Sequence, residues 1–186
     1  MRDMRFHRRN GHVWLCCLAL FAAACTTAPT RGTLASPSAE ILPTDARAMA
    51  YGATTDQVLR NPEIADKVRA LFGPDWMPGT PRAGQMLVPG AEAYFEQGST
   101  VRLLRIGGTD YIAVSGCVSG SCDSRHALLL IEVGGGRLFA RLDEGGFVHY
   151  YGYGSEGVMR DTAQLIADSG YRALYPPGSR YQRART

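Results

Sequence analysis

Lysine is almost missing from this chain of 186 residues: Lys67 is the only one among 20 basic residues. That bias reads as genomic base composition and carries no functional message. There is no internal repeat, which excludes solenoids and propellers. No apolar run is long enough for a permanent membrane-spanning helix; the longest, Val13 to Ala24, is too short. The patterns that announce catalysis are missing too. No serine sits in a nucleophile elbow, and Ser115 and Ser119 have no recognisable base or oxyanion partner. Asp143-Glu144 is a carboxylate pair beside a glycine-rich turn and reads as a solvated loop. The expectation is that the chain is not an enzyme, and no cofactor or metal is implied.

Net charge is lacking once the N-terminus is set aside. Arg2, Arg5, Arg8 and Arg9 precede the apolar stretch Val13–Ala24, the order of a secretory signal peptide over residues 1–24. Removing it takes four of the 20 basic residues and one of the 17 acidic ones, leaving 16 of each. The mature chain is then near neutral, so neither nucleic acid nor a basic membrane-binding face is expected. Ala22-Ala23-Ala24-Cys25-Thr26 resembles a bacterial lipobox, in which the cysteine becomes the lipidated N-terminus. Ala22 stands where lipoboxes usually carry Leu, and an Ala-x-Ala site for ordinary signal peptidase can be read in the same residues. Lipidation of Cys25 would leave no unpaired thiol in an oxidising compartment. Thr26, in place of Asp after that cysteine, implies the outer membrane. The expected location is the periplasm, with the membrane reached through the lipid anchor alone.

Cysteine is correspondingly scarce beyond the leader. Cys16 and Cys17 leave with it, and Cys117 and Cys122 remain as one pair around Val118-Ser119-Gly120-Ser121. In an oxidising space a disulfide is their expected fate. Redox dithiols typically have two residues between the cysteines, so this wider spacing points to a structural staple. Two thiols with His126 nearby lack a fourth ligand at any familiar zinc spacing.

Residues 25–45, rich in Thr, Ala, Pro and Ser, read as the lipidated cysteine and a flexible tether. Residues 46–170 form one domain, large enough for a real core. Residues 171–186, with Pro176-Pro177-Gly178 and several arginines, are expected to be a loosely docked tail.

Residues 55–72 are helical in pattern, with Asn61-Pro62 as cap and first position and Gly73-Pro74 as the stop. Short β-rich runs follow at Tyr94-Phe95, Val101–Ile106, Tyr111–Cys117, Ala127–Val133, Leu138–Leu142 and Phe147–Tyr151. Their glycine-rich connections are too short for crossover helices, so neighbours should pair antiparallel. Leu128–Ile131 is apolar on both faces, as in a strand covered on each side. A second helix is expected over Glu156–Ala167, capped by Ser155 and ended by Gly170. The fold class is α+β: an antiparallel sheet with flanking helices.

Gly152-Tyr153-Gly154-Ser155-Glu156-Gly157 matches G-x-G-x-x-G by letter. Dinucleotide binding also needs a parallel βαβ unit and an acidic residue about 20 positions on, whereas here Pro176-Pro177 follows the expected helix and no second strand is expected. A turn leading to a helix cap is the better reading. His126 and His149 fall in strands, where a lone histidine is more often packed or solvated than catalytic.

The order of features from Asp56 to Gly170 resembles the inhibitor of vertebrate lysozyme (Ivy) family, periplasmic proteins that inhibit lysozymes. A Trp follows the first helical segment in Pro74-Asp75-Trp76-Met77-Pro78-Gly79. Gly107 to Cys117 matches the family's approach strand, and Cys122-Asp123-Ser124-Arg125 with Ala127–Leu130 the departing one. Between them the family has a disulfide-closed six-residue loop, typically Cys-Lys-Pro-His-Asp-Cys, which enters the lysozyme cleft. The resemblance implies an Ivy-like fold, a Cys117–Cys122 disulfide and a partner-binding loop of Val118, Ser119, Gly120 and Ser121. Gly120 stands at the inhibitory His position and Ser121 at the Asp position; Val118 and Ser119 replace Lys and Pro. The inhibitory His does not carry over.

The expectation is therefore an envelope-anchored inhibitor of a lysozyme-like peptidoglycan hydrolase. The altered loop and near-neutral charge favour a bacterial target over animal lysozyme: the cell's own enzyme, or a toxin to which this chain gives immunity. The alternative is a structural envelope lipoprotein that has lost inhibition. A third reading is a small-ligand module stacking its ligand on Phe147, Tyr150, Tyr151 and Tyr153.

Overall fold

The computed structural model describes residues 35–77, 89–154 and 160–176, all within one unit spanning residues 35–186. The leader, Cys25, the Ser155 cap and the end of the chain from Pro177 lie outside the described residues.

Six strands form one antiparallel meander in sequence order: β1 (Ala39–Leu42), β2 (Arg102–Ile106), β3 (Thr109–Cys117), β4 (Arg125–Glu132), β5 (Leu138–Glu144) and β6 (Phe147–Tyr153). Every neighbouring pair is antiparallel, as the short connections require. The α+β class is thus observed. Helices α1 (Thr55–Arg60) and α2 (Pro62–Phe72) cover one face, and α3 (Arg160–Leu174) covers the other.

Side-chain alternation divides the sheet between two cores. Leu103, Ile112, Val114, Leu129, Ile131 and Leu138 pack toward α1 and α2 with Val58, Ile64, Val68 and Phe72. Leu104, Ile106, Tyr111, Ala113, Leu128, Leu130 and Phe139 pack toward α3 with Ala163 and Tyr171. Leu128 to Ile131 are all 0% exposed, because β4 lies in the middle of the sheet and supplies both cores with large residues in succession.

The helix over 55–72 is in fact two. Asn61 has extended backbone (φ −64°, ψ 124°), its side chain accepts from Glu63 N–H at 2.9 Å, and Pro62 opens α2. Gly73 ends α2 at φ 55°.

Four expectations change. Ala39–Leu42, assigned to the tether, pairs with β2 as an edge strand; its charged Glu40 and short length had hidden it. Tyr94-Phe95 belongs to a 3-10 turn, Ala91–Phe95. Gly170 does not end α3 but lies inside it, where a Cβ would stand 3.0 Å from Leu130 Cδ1 and 3.2 Å from Ile106 Cδ1. Glycine there lets the helix approach the sheet. The helix consequently runs to Leu174, and Tyr171, placed in the tail by sequence, is 4% exposed.

Gly154, within the G-x-G-x-x-G string, has φ 95°, and a Cβ would lie 1.9 Å from Gly136 O. This glycine is required by backbone contact with the β4–β5 connection. Strand β6, which it follows, pairs antiparallel with β5, not in the parallel arrangement of a dinucleotide fold.

Candidate functional site

Cys117 is the last residue of β3, its register partner is His126, and the chain returns through Val118 to Ser124. Cys117 and Cys122 are joined as a disulfide with Cα atoms 5.0 Å apart. Within the ring and across its exit the backbone folds on itself. Val118 N–H donates to Arg125 O at 3.0 Å, Ser121 N–H to Val118 O at 2.9 Å, and Arg125 N–H to Ser121 O at 2.8 Å. Gly120 takes the left-handed conformation that this tight turn needs, φ 73°.

A brace comes from outside the hairpin. Gln97, just after the 3-10 turn, donates its backbone N–H to Cys117 O at 3.2 Å and its Nε2 to Ser119 Oγ at 3.1 Å. Cys122 Sγ lies 3.1 Å from Gln97 Oε1. The neighbouring β5–β6 turn is tied on as well, Gly145 N–H donating to Ser124 O at 2.8 Å. The loop is thus fixed by a covalent bond, its own turn, and two adjacent segments.

The four residues expected to bind a partner are not equivalent. Ser119 and Gly120 are exposed at the tip. Val118 turns inward and packs against the core beside α1 and α2. Ser121 is half-buried, with its backbone groups spent inside the turn. Among the described residues nothing accepts the backbone N–H groups of Ser119 and Gly120.

Behind the loop, on the α3 face, lies a polar cluster that sequence reasoning missed. His126 Nε2 is 3.2 Å from Asp143 Oδ2 and 2.5 Å from the Tyr171 hydroxyl. Arg141 donates to Asp143 Oδ2 at 3.0 Å and to Asp168 Oδ1 at 2.6 Å, and its guanidinium lies 3.9 Å over the Tyr171 ring. Tyr150 donates to Asp168 Oδ1 at 2.8 Å. Asp143 is fully buried, which corrects its reading as half of a solvated pair. Burial alone would raise its carboxyl pKa. Hydrogen bonds from His126 and Arg141, with the charge on Arg141, outweigh burial and hold it well below the carboxylate range. Burial and the bond to Asp168 push the Tyr150 phenol up to about 12. The cluster is shut in between sheet and helix, so it serves structure. The signal that could have exposed it is alternation: His126 shares a face with Leu128, and Arg141 and Asp143 share one with Phe139.

The aromatic run of β6 does not form one platform. Tyr150 faces α3 through Asp168, whereas Tyr151 and Tyr153 pack against the core on the opposite side. Phe147, at the turn, is 75% exposed. His149, the other strand histidine, sits at the surface with Nε2 3.5 Å from Glu144 Oε2.

Among the described residues no three His, Cys, Asp or Glu side chains converge to hold a metal ion, and no helix is long and apolar enough to cross a membrane. Compared with protein-family models, with characterised proteins and with solved structures, the chain matches none.

Proposed function

We propose that this chain is an envelope-anchored protein inhibitor of a lysozyme-like peptidoglycan hydrolase, acting through the Cys117–Cys122 loop. One observation carries the reading: a disulfide-closed turn, braced by Gln97, presents Ser119 and Gly120 at the end of a rigid sheet. A loop ordered before it meets its target loses little conformational entropy on binding. Its exposed tip offers the backbone N–H groups of Ser119 and Gly120 to an acceptor, and glycan-cleaving sites contain carboxylates.

The chemistry also sets the target. Without the histidine of the Ivy loop, only neutral donors reach a carboxylate, and these are roughly half as strong as charge-assisted ones. A near-neutral chain adds little electrostatic steering toward a basic enzyme. A bacterial hydrolase therefore fits better than an animal lysozyme, either the cell's own or a delivered toxin, in which case this chain is an immunity protein. Export through the residue 1–24 leader and anchoring at Cys25 would put it beside that enzyme.

The test uses residues 26–186 with the disulfide intact, assayed for muramidase inhibition against an animal lysozyme and the hydrolases encoded beside its gene. The reading expects inhibition of a bacterial enzyme that Ser119→Trp abolishes while circular dichroism stays unchanged. No inhibition of any enzyme, or full potency in Ser119→Trp, would overturn it.

A further inference from the structure

A small pocket of about 340 Å³ opens beside β5 and β6, and no residue of the Cys117–Cys122 loop lines it. Alternation puts Leu142 and Glu144 of β5 on the same face as His149 and Tyr151 of β6, with Leu142 and His149 as register partners. Asp75, at the end of the 3-10 turn Gly73–Asp75, and Tyr94, in the turn Ala91–Phe95, complete the wall. The volume is at the lower end of the range for ligand sites and suits one compact molecule.

Five polar side chains meet there, and much of their hydrogen-bonding capacity is unspent. The Tyr151 hydroxyl donates to Asp75 Oδ2 at 3.1 Å. His149 Nε2 stands 3.5 Å from Glu144 Oε2, beyond good hydrogen-bond length, so both keep capacity for another partner. Tyr94 stands out. It is 2% exposed and lines the pocket, yet its hydroxyl has no hydrogen-bond partner among the described residues. A hydroxyl withdrawn from water without a partner costs stability, and a ligand that supplies the partner accounts for its position. Burial pushes the Tyr94 phenol up to about 12, and the charge of Glu144 adds to the effect. The Tyr151 phenol is raised as well, by burial first and then by Asp75, Tyr94 and Glu144, so both carboxylates act on one point of the pocket.

This set of groups selects a ligand chemistry. Tyr94 stays protonated and needs an acceptor, whereas Asp75 and Glu144 need donors. A cation brings donors alone and leaves the Tyr94 proton unmet. An anion is repelled by the carboxylates, and an apolar molecule satisfies none of the three. A hydroxyl accepts and donates at once. We propose that this pocket binds a saccharide ring, whose neighbouring hydroxyls bridge Tyr94, Glu144 and Asp75. The C–H surface of the ring lies against Pro74 and Leu142, and His149 meets a further hydroxyl. The site shares no residue with the Cys117–Cys122 loop and stands whether or not the loop inhibits a hydrolase.

Tyr94→Phe is the telling variant, because it removes a hydroxyl that the unliganded fold does not use. Residues 26–186 are titrated in turn with glucose, galactose, mannose and N-acetylglucosamine, with butylammonium as the cationic control, and binding is read by saturation-transfer NMR. At least one sugar is expected to give a saturable signal, weakened by about tenfold or more in Tyr94→Phe and in Glu144→Gln. The melting temperature of Tyr94→Phe without sugar should equal or exceed that of the parent, since a buried hydroxyl without a partner is lost. Silence from all four sugars overturns the proposal, and a response to butylammonium in that case would give the pocket to a cation instead. Sugar binding that Tyr94→Phe retains overturns it as well. So does a fall in the melting temperature of that variant, which would show the hydroxyl already partnered within the fold.

Discussion

Arg141 of β5 donates to Asp168 of α3 at 2.6 Å, and the same Asp168 oxygen accepts from Tyr150 at 2.8 Å. One carboxylate on the helix thereby fastens two adjacent strands. Asp168 is partly solvated, its side chain 19% exposed, so its removal is milder than that of a sealed ion pair. Asp168→Ala is expected to cost about 1–2 kcal/mol and Tyr150→Phe about 1 kcal/mol, both read from urea midpoints. The double variant should lose less than the sum, because the two changes remove the same bond. Strict additivity would show that Tyr150 is held by something other than Asp168.

Asp143 should set the acid limit of the fold. Its carboxyl pKa is depressed in the folded state, against the pull of burial, by His126 and Arg141. A depressed folded pKa contributes stability that is fully present above the unfolded value, about 3.9, and is lost as pH falls below it. The unfolding midpoint should therefore hold near neutrality and decline steeply below about pH 4. Asp143→Asn leaves Arg141 short of a buried partner, so at neutral pH it should lose about 3–5 kcal/mol. Its acid decline should be shallower than that of the parent. Equal slopes in the two proteins would place the acid sensitivity elsewhere.

The sheet was legible because its signals are local. Glycine turns at Gly107-Gly108 and Gly145-Gly146 bound β-rich runs, and Leu128–Ile131 announced a strand buried twice. Asn61-Pro62 and Gly73 marked the helix ends by chemistry that needs no tertiary partner. What stayed hidden depends on partners distant in sequence. Ala39–Leu42 becomes a strand only because β2 lies beside it. Gly170 reads as a stop signal in isolation, yet the Leu130 and Ile106 side chains make it a packing residue. His126 and Asp143 are 17 positions apart in sequence and adjacent only through the β4–β5 register. The cysteine spacing showed where the loop was, but not that Gln97 would brace it from outside the hairpin.

Two glycines with positive φ should respond differently to alanine. At Gly154 the added methyl meets Gly136 O at 1.9 Å as well as the unfavourable backbone conformation, φ 95°. At Gly120, φ 73°, nothing lies within 4 Å, so only the conformational cost of about 1–2 kcal/mol applies. Gly154→Ala is expected to lower the melting temperature well beyond Gly120→Ala. Equal losses would mean that the β4–β5 connection yields freely to the methyl.

The loop separates stability from function most cleanly at Gln97. Its side chain donates to Ser119 and touches the disulfide from an exposed position, so Gln97→Ala should change global stability by about 1 kcal/mol or less. Cys117→Ser/Cys122→Ser opens a six-residue ring, worth about 2 kcal/mol by the chain-entropy account. If order at the tip is what binds the hydrolase, potency should fall in both variants, whereas stability falls mainly in the second. The measurement is the inhibition constant set against the urea midpoint for the parent and each variant. Potency that tracks stability alone would make the loop a staple for the fold. Potency lost in Gln97→Ala at unchanged stability would assign binding to the fixed geometry of Ser119 and Gly120.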